Sequence, residues 1–480
     1  MAFVDRHFFK FVLALLAAFG GAGVLQVLQR RSTIIGYEPE EIAQALSSGH
    51  GYSFPGSKRW LFVRDSPDQY FTTAWADPVF PLGYAAVISL FDEWSRLVVV
   101  LLLLACFLAT AALVAVTARR LAGPWAGLLA LLVLLVTVRG GATAINASLL
   151  AGLWVALLLS FLVAHAERLS LRKSIVLGTL LGVSILTWSS TMVFLPVAVL
   201  LLFWFAPSPR AALKMSTATV LTAMLLVAPW TARNYTVFGE FVPVRNGLGH
   251  LAHLGTVGLS ASFAPERADA PVPAPFATSD PFDAVAAVGV TDPRAGKTNR
   301  EALAGWQMDV IVIQIGDSND ELNEAQRDEW LLGKARDFVT ANPLLTLQLA
   351  IAKLWEFLWL DRWPGGWPLG AALTGFGLLV STVLAFSDRR LLIPLTMALA
   401  YMAPFAVITP FFYRYRYPIE PVIALLIGVS LAHVAEFGLR WLGALQARRQ
   451  DAAAAAAPGA APAPPASIER AARTRQSHAV

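Results

Sequence analysis

Residues 97–117 read LVVVLLLLACFLATAALVAVT, and this stretch decides the class of fold. It carries no charge, and a helix rising about 1.5 Å per residue needs roughly 20 apolar residues to cross a bilayer. Of the 480 residues in the chain, 56% are hydrophobic and only 14% are charged. Soluble domains carry about 25% charged residues, and the mean hydropathy here is +0.59. These values exclude a soluble enzyme, a disordered protein and a nucleic-acid-binding module, and they predict an all-α polytopic membrane protein.

Other apolar stretches of similar length predict further spans. They are 8–28, 121–138, 144–165, 213–230, 368–386, 391–409 and 418–436. A longer apolar stretch, 174–206, is interrupted at Thr187–Ser190 and is predicted to be a hairpin of two short helices, which gives ten spans. The short run 79–91 is interpreted as a half-helix and 344–360 as an interfacial or re-entrant helix, with a full span as the alternative for 344–360. We therefore expect about 10–12 transmembrane or re-entrant helices.

Basic residues fall at alternate ends of the predicted spans, as cytoplasmic loops require, so both termini are predicted to be cytoplasmic. Two large loops, 29–96 and 231–367, then lie on the extracytoplasmic side. Residues 231–343 hold 15 acidic and 9 basic residues, a net charge of −6, and the rest of the chain carries +11. This asymmetry is typical of a membrane protein with an acidic, water-facing loop, and it does not indicate nucleic-acid binding.

The chain divides into a transmembrane domain, residues 1–436, and a tail. In the second loop, residues 299–342 are predicted to contain an amphipathic helix that ends before Pro343. Residues 437–480 are rich in Ala and Pro and have a basic, polar end. We expect this tail to be disordered and cytoplasmic.

Four acidic residues of the first loop are candidate catalytic residues. Glu38, Glu40 and Glu41 lie together at the start of a predicted helix, and Asp77 lies in TAWADPVFPLGY, residues 73–84. A carboxylate at the membrane edge can deprotonate an acceptor hydroxyl or hold a divalent ion. The alternatives are structural: the glutamates could only favour a helix N-terminus, and Asp77 could cap the helix that follows it.

Two basic motifs on the same side are candidate phosphate-binding sites. Arg233 and Asn234 follow a span, whereas Arg414 and Arg416 alternate with tyrosines in FFYRYRYPIEP, residues 411–421. The forked guanidinium group suits a lipid phosphate, although either motif could be an ordinary interfacial anchor. Glu420 is expected to pair with an arginine, because a lone charge inside a span is costly.

Lys353, His50 and His250 complete the candidate substrate-binding residues. His250 and His253 could share one helix face, but two histidines without a third ligand are a weak signal, and no metal site is predicted there. The sequence contains no Walker A, GxSxG, HExxH or CxxC pattern. Soluble nucleotide-dependent chemistry is therefore not expected.

Taken together, these motifs resemble those of one family. The matching pieces include IAQALSSGHGYS, TAWADPVFPLGY, APWTARNYTVFGEFVPVRNGLG, FVTANPLLTLQLAIAKLWEFLW and YRYPIEP. They run from about residue 30 to 436. In this order they are similar to the bacterial GT-C class of polyprenyl-phosphate-sugar-dependent membrane glycosyltransferases, relatives of protein O-mannosyltransferases and of the lipid A aminoarabinose transferase.

The resemblance implies a GT-C-like extracytoplasmic loop region and a site on the periplasmic or extracellular face of the bacterial inner membrane. There the family transfers a sugar from a polyprenyl-phosphate carrier to a glycan, lipid or protein, with inversion. An acidic residue of the first loop is the expected base, and arginines or lysines hold the carrier phosphate. Some members use a divalent cation, Mg or Mn.

Three positions depart from the family pattern. An Asp usually stands where this chain has Ile35, an acidic residue often stands near Asn146, and the frequent Thr-Arg-Pro reads Thr187-Trp188-Ser189. Asp77 does match. Two other functions therefore remain open: a transporter or flippase of lipid-linked glycans, which would carry charges deep within its spans, and a non-catalytic envelope-assembly relative.

Overall fold

The computed structural model describes residues 2–29, 38–56, 66–138, 144–258, 322–358, 367–408 and 415–456. In chain order its helices are α1 (Ala2–Gln29), α2 (Glu38–Ser47), α3 (Val79–Phe91), α4 (Ser95–Val138), α5 (Ala147–His165), α6 (Leu171–Thr187), α7 (Phe194–Phe205), α8 (Pro209–Phe238), α9 (Leu248–His253), α10 (Glu324–Ala341), α11 (Pro343–Leu358), α12 (Trp367–Ala385), α13 (Leu392–Val407) and α14 (Glu420–Ala456). Two strands, β1 (Ser53–Gly56) and β2 (Ser66–Thr72), form an antiparallel hairpin.

The expected polytopic helical fold is confirmed. Within the described residues, six helical segments are long and apolar enough to cross a membrane, and the longest of them covers Val79–Val138. This segment contains two of the predicted spans, because α4 bends sharply at Ala122 and Gly123. Gly123 has a φ of 82°, which glycine tolerates without strain, and Pro124 has no backbone N–H to continue the helical ladder. The bend therefore turns one long helix into two spans.

The predicted hairpin over 174–206 is present as α6 and α7. Trp188 is extended between them, and a 3₁₀ turn at Ser189–Val193 leads into α7. On its other side α6 packs closely against α8, where a Cβ at Gly178 would collide with the backbone of Thr219. The Thr219 hydroxyl donates to the Ser174 carbonyl at 3.0 Å. These contacts hold the hairpin against the span that leads to the second loop.

The first loop contains the predicted half-helix as α3, and it also contains a β-hairpin that the sequence reasoning did not anticipate. In the hairpin Ser53 pairs with Thr72. Ile42, Tyr52 and Phe54 form a small apolar core against which Trp230 of α8 packs. The loop is therefore folded onto the membrane helices.

Residues 231–258 and 322–358 of the second loop are described, and residues 259–321 lie outside the described residues. At the start of α10 the Asn323 side chain accepts the backbone N–H of Gln326, and the Gln326 side chain accepts the backbone N–H of Asn323. The two hydrogen bonds form a capping box. The helix ends at Ala341, and Pro343 begins α11, as the sequence predicted. Along α11 the apolar side chains of Leu344, Leu347 and Ile351 are exposed. This stripe suits contact with lipid, and the interfacial placement of α11 stays a prediction.

The last helix corrects one boundary. The chain is predicted to become disordered from residue 437, but α14 continues to Ala456. Leu, Ala, Arg and Gln dominate this stretch, and all of them favour helix. The rest of the predicted tail, residues 457–480, lies outside the described residues.

A buried ion pair fixes the start of α14. The Arg416 guanidinium donates to Glu420 Oε1 at 2.5 Å, to the Phe357 carbonyl at 2.5 Å and to the Thr374 hydroxyl at 3.1 Å. Arg416 and Glu420 are each 1% exposed. The predicted arginine partner of Glu420 is thus confirmed. Because Phe357 belongs to α11 and Thr374 to α12, one guanidinium joins three helices.

We predict that Arg416→Ala lowers the free energy of unfolding by about 3–5 kcal/mol, because it leaves a buried carboxylate without its counter-charge. Thermal unfolding in detergent measures the effect. Arg440→Ala is the matched control, since the Arg440 side chain is 82% exposed beside Glu436 and such pairs contribute about 0.5 kcal/mol. Equal unfolding temperatures for the two variants would contradict the buried ion pair.

Candidate functional site

Asp77 lies where the first loop, the second loop and the α6–α7 hairpin meet. Its Oδ1 accepts the backbone N–H of Ser189 at 3.0 Å, and its Oδ2 lies 3.7 Å from a guanidinium nitrogen of Arg245. The residue before α3 is Pro78, and no side chain caps that helix. The alternative role of Asp77 as a cap for α3 is therefore wrong. The carboxylate instead binds the turn at the break of the hairpin.

Aromatic side chains shield this carboxylate from water. The Tyr52 hydroxyl donates to the Ala76 carbonyl at 2.8 Å, next to Asp77 in the chain. Trp188, at the break of the hairpin, donates to the Tyr401 hydroxyl at 3.2 Å. Burial raises the pKa of Asp77 from its ordinary value, and Arg245 and Ser189 oppose this rise. A carboxylate whose pKa is raised is a stronger base once it is ionised.

Glu324 joins the two loops beside Asp77. Its carboxylate accepts the Thr73 hydroxyl at 2.6 Å, the Ala74 backbone N–H at 3.0 Å and the Asn246 amide at 2.8 Å. Burial raises the pKa of Glu324 above its ordinary value, and the three hydrogen bonds oppose part of this rise. Residues 73–77 are therefore held from the second loop by a carboxylate that the sequence did not identify.

Arg233 and Asn234 bind the protein backbone. Arg233 donates to the carbonyls of Thr73 at 2.8 Å and Tyr52 at 3.2 Å, and to the Asn234 side chain at 2.9 Å. The Asn234 amide nitrogen donates to the carbonyls of Val242 and Val244. This pair attaches both loops to the end of α8. Its role in binding a carrier phosphate stays a prediction that these contacts do not support.

The other predicted basic residues are Arg414, Arg416 and Lys353. Arg414 lies outside the described residues, and Arg416 belongs to the buried ion pair already described. The Lys353 ammonium is buried and donates to the carbonyls of Gly255 at 3.0 Å and Val407 at 2.8 Å. It joins α11 to the second loop and to the end of α13, and its role in substrate binding stays a prediction.

The three predicted glutamates occupy the first turn of α2, where the helix dipole favours negative charge. Glu38 and Glu41 are half-buried. Glu40 is 3% exposed, and its Oε1 accepts from Arg96 at 2.5 Å and from Gln44 at 3.3 Å. The ion pair ties α2 to the start of α4. The arrangement gives Glu40 a structural role, and the catalytic role of all three glutamates stays a prediction.

The histidines occupy two different environments. His50 is exposed and stacks on the Tyr70 ring at 3.7 Å. His250 and His253 are buried in α9, and Trp75 packs edge-on against His250. Burial lowers the pKa of both α9 histidines to about 4. Both are therefore neutral at physiological pH.

The described residues do not fit a divalent cation. Among them, no group of three or more His, Cys, Asp and Glu side chains comes close enough to hold a metal ion. Asp77, the best placed carboxylate, already accepts an amide and faces a guanidinium.

Sequence reasoning missed Arg245, Ser189 and Glu324. The interruption of the apolar hairpin at Thr187–Ser190 is the signal that could have identified Ser189. The pattern of Asn323 followed by Glu324 is typical of a helix start. It could have placed Glu324 at the N-terminus of a helix. Neither signal identifies the partner, because Glu324 and Thr73 are 251 positions apart.

No family model matches the sequence, and no curated protein matches it in sequence. Among solved structures, the oligosaccharyltransferase of Archaeoglobus fulgidus in its apo form matches with a TM-score of 0.52 and 12% identity over 93% of this chain and 52% of that chain. The same protein, AglB, in complex with an inhibitory peptide and a dolichol-phosphate, matches with a TM-score of 0.50 and 12% identity over 91% and 52% of the two chains. ArnT from Cupriavidus metallidurans bound to undecaprenyl phosphate gives a TM-score of 0.35 and 15% identity over 88% and 78%.

The chain thus spans about half the length of the archaeal oligosaccharyltransferase. At 12% identity the likeness establishes the fold. It is a polytopic helical fold, as the sequence resemblance implied. The chain is accordingly a multi-pass membrane protein.

We predict that Arg233→Ala lowers the free energy of unfolding by about 2–3 kcal/mol, because two backbone carbonyls lose a charged donor. The change appears as a lower unfolding temperature in detergent. Arg210→Ala is the control, since Arg210 is an exposed arginine at the other end of α8. If Arg233→Ala unfolds at the wild-type temperature, the guanidinium does not hold the loops.

We predict that His253 makes the protein less stable as the pH falls from about 6.5 to about 4. The unfolded histidine takes up a proton near pH 6.5, whereas the folded one does so near pH 4. Its contribution to stability is therefore complete above pH 6.5 and is lost across this window. His253→Gln should flatten the dependence of unfolding temperature on pH, and exposed His50→Gln should not. Parallel curves for wild type and His253→Gln would contradict the burial of a neutral imidazole.

Proposed function

We propose that this protein is a membrane glycosyltransferase. It transfers a sugar from a polyprenyl-phosphate carrier to an acceptor hydroxyl on the extracytoplasmic side of the bacterial inner membrane, with inversion at the anomeric carbon. The observation that carries the proposal is the pairing of Asp77 with Arg245, 3.7 Å apart, at the junction of both outer loops with the membrane helices. The fold shared with AglB supports it.

Such a transfer needs a base and a positive charge, and the pair of Asp77 and Arg245 supplies both. Asp77 accepts the proton of the acceptor hydroxyl as its oxygen forms a bond to the anomeric carbon. On the opposite face, the bond between that carbon and the phosphate oxygen breaks, and the polyprenyl phosphate leaves with the electron pair. A guanidinium close to this phosphate stabilises the charge that develops on it. Arg245 is the arginine closest to Asp77 in the described contacts, and its side chain is 20% exposed.

The placement of charge favours an enzyme over a transporter of lipid-linked glycans. A transporter needs polar groups deep within its spans to move a charged substrate. The buried charge at the start of α14 is the pair of Arg416 and Glu420, and these neutralise each other. The ion pair at Asp77 instead lies against loop residues, beside Tyr52 and Ser189. A site at this level can take a carrier headgroup from the membrane while its isoprenoid tail stays in lipid.

We predict that Asp77→Asn lowers transfer at least about 100-fold, because the variant loses the general base. The amide oxygen of Asn can still accept the N–H of Ser189, so the fold should persist. Transfer is measured in lipid nanodiscs with a panel of undecaprenyl-phosphate sugars and hydroxyl acceptors. Binding of undecaprenyl phosphate should stay within about twofold of wild type, since no phosphate ligand is removed.

Arg245→Ala should weaken binding of undecaprenyl phosphate about tenfold or more, because it removes a charge-assisted hydrogen bond. Glu240→Gln, on the same loop, is the control for both measurements. Full transfer by Asp77→Asn would rule out this base. A wild-type protein that neither binds undecaprenyl phosphate nor transfers any of the sugars would rule out the function.

A further inference from the structure

We propose that Glu324 is a positioning residue that sets the distance between Asp77 and Arg245. The inference rests on the proposed function, and it adds to it a residue that acts without touching either substrate. Glu324 is 9% exposed and is the first residue of α10. A helix N-terminus stabilises a buried carboxylate there in its charged form.

The segment that carries Asp77 and the segment that carries Arg245 both donate hydrogen bonds to the Glu324 carboxylate. From the first loop, the Thr73 hydroxyl and the Ala74 N–H donate to it, four and three residues before Asp77. From the second loop, the Asn246 side chain donates to it, immediately after Arg245. A single anion therefore holds the segments that carry the base and the guanidinium.

Further hydrogen bonds make the connection rigid. The Asn246 backbone N–H donates to the Ala74 carbonyl at 2.8 Å, which joins the two loops directly. The Thr73 hydroxyl accepts the Trp75 N–H at 3.0 Å, so it bonds on both sides. Behind them, Ala74 packs in an apolar cluster with Phe238 and Ala325. With these bonds made, residues 73–77 have little freedom to shift.

Glu324 has no direct contact with the proposed base or with the guanidinium. Glu324 accepts all three of its hydrogen bonds from protein groups, and none of these groups belongs to Asp77 or Arg245. Its effect on transfer must therefore act through geometry. Displacement of a catalytic group by about 1 Å can cost roughly 100-fold in rate.

Glu324→Ala tests the proposal with two readouts. Amide hydrogen exchange of peptides covering 73–77 should become at least about tenfold faster, because the Ala74 N–H loses a charged acceptor. The kcat for transfer should fall about 10- to 100-fold. The dissociation constant for undecaprenyl phosphate should change less than about threefold, since the Arg245 guanidinium is retained. Glu329→Ala is the control, because Glu329 is an exposed glutamate of the same helix.

Thr73 supplies a second pair of variants in case Glu324→Ala does not fold. Thr73→Val keeps the side-chain volume and removes the hydroxyl, so it should speed exchange at 73–77 and lower kcat. Thr73→Ser keeps the hydroxyl and should restore both. A merely structural role would lower stability in proportion to the lost volume and would not distinguish Val from Ser in this way.

The outcomes separate this proposal from the proposed function. Unchanged exchange at 73–77 in Glu324→Ala and Thr73→Val overturns the positioning role, whatever the activity. Faster exchange with unchanged kcat overturns it as well. If the wild type transfers no sugar, the proposed function fails and the positioning of Asp77 for transfer fails with it, whereas the exchange data still measure the connection between the loops.

Discussion

The hydrogen bonds onto residues 73–77 are the constraint on which the two large loops of this protein depend. Arg233 from the end of a membrane helix and Glu324 from the second loop bind the same short segment from two sides. The segment has little secondary structure of its own to satisfy its backbone. Because buried peptide groups need partners, its conformation follows from side chains supplied by distant elements. The placement of Asp77 follows from that conformation.

Several buried charges of the described residues occur in pairs, whereas Glu324 and Lys353 are bound by uncharged groups. Arg416 pairs with Glu420 at the start of the last helix, and Glu40 pairs with Arg96 at the start of α4. Both pairs are in contact at 2.5 Å and tie helices together. The pair of Asp77 with Arg245 is looser, at 3.7 Å. A looser pair keeps donors and acceptors that a substrate can use, and this difference separates the proposed site from the structural ion pairs.

Much of the fold could be predicted from sequence, because apolar length and basic loop ends are local signals. The hairpin over 174–206, the half-helix over 79–91 and the break at Pro343 are all present. The β-hairpin was missed because β1 and β2 are short. The extension of α14 to Ala456 was missed because alanine-rich sequence was interpreted as disordered. Of the candidate site, Asp77 was predicted. Its partners Ser189 and Arg245 were not, because contacts between residues more than 100 positions apart leave no periodicity in the sequence.

The sequence by itself determined that this is a multi-pass helical membrane protein, since the hydrophobic effect acts on every span independently of its neighbours. It also predicts that the polar motifs lie at one membrane face, because charge is costly within the lipid. Only the tertiary structure decided what each polar side chain does. Arg233 and Arg416 have the residue type of phosphate ligands, yet their donors are taken up by the protein itself. A guanidinium binds whichever acceptors the fold brings near it, and that choice is set by the packing of distant elements.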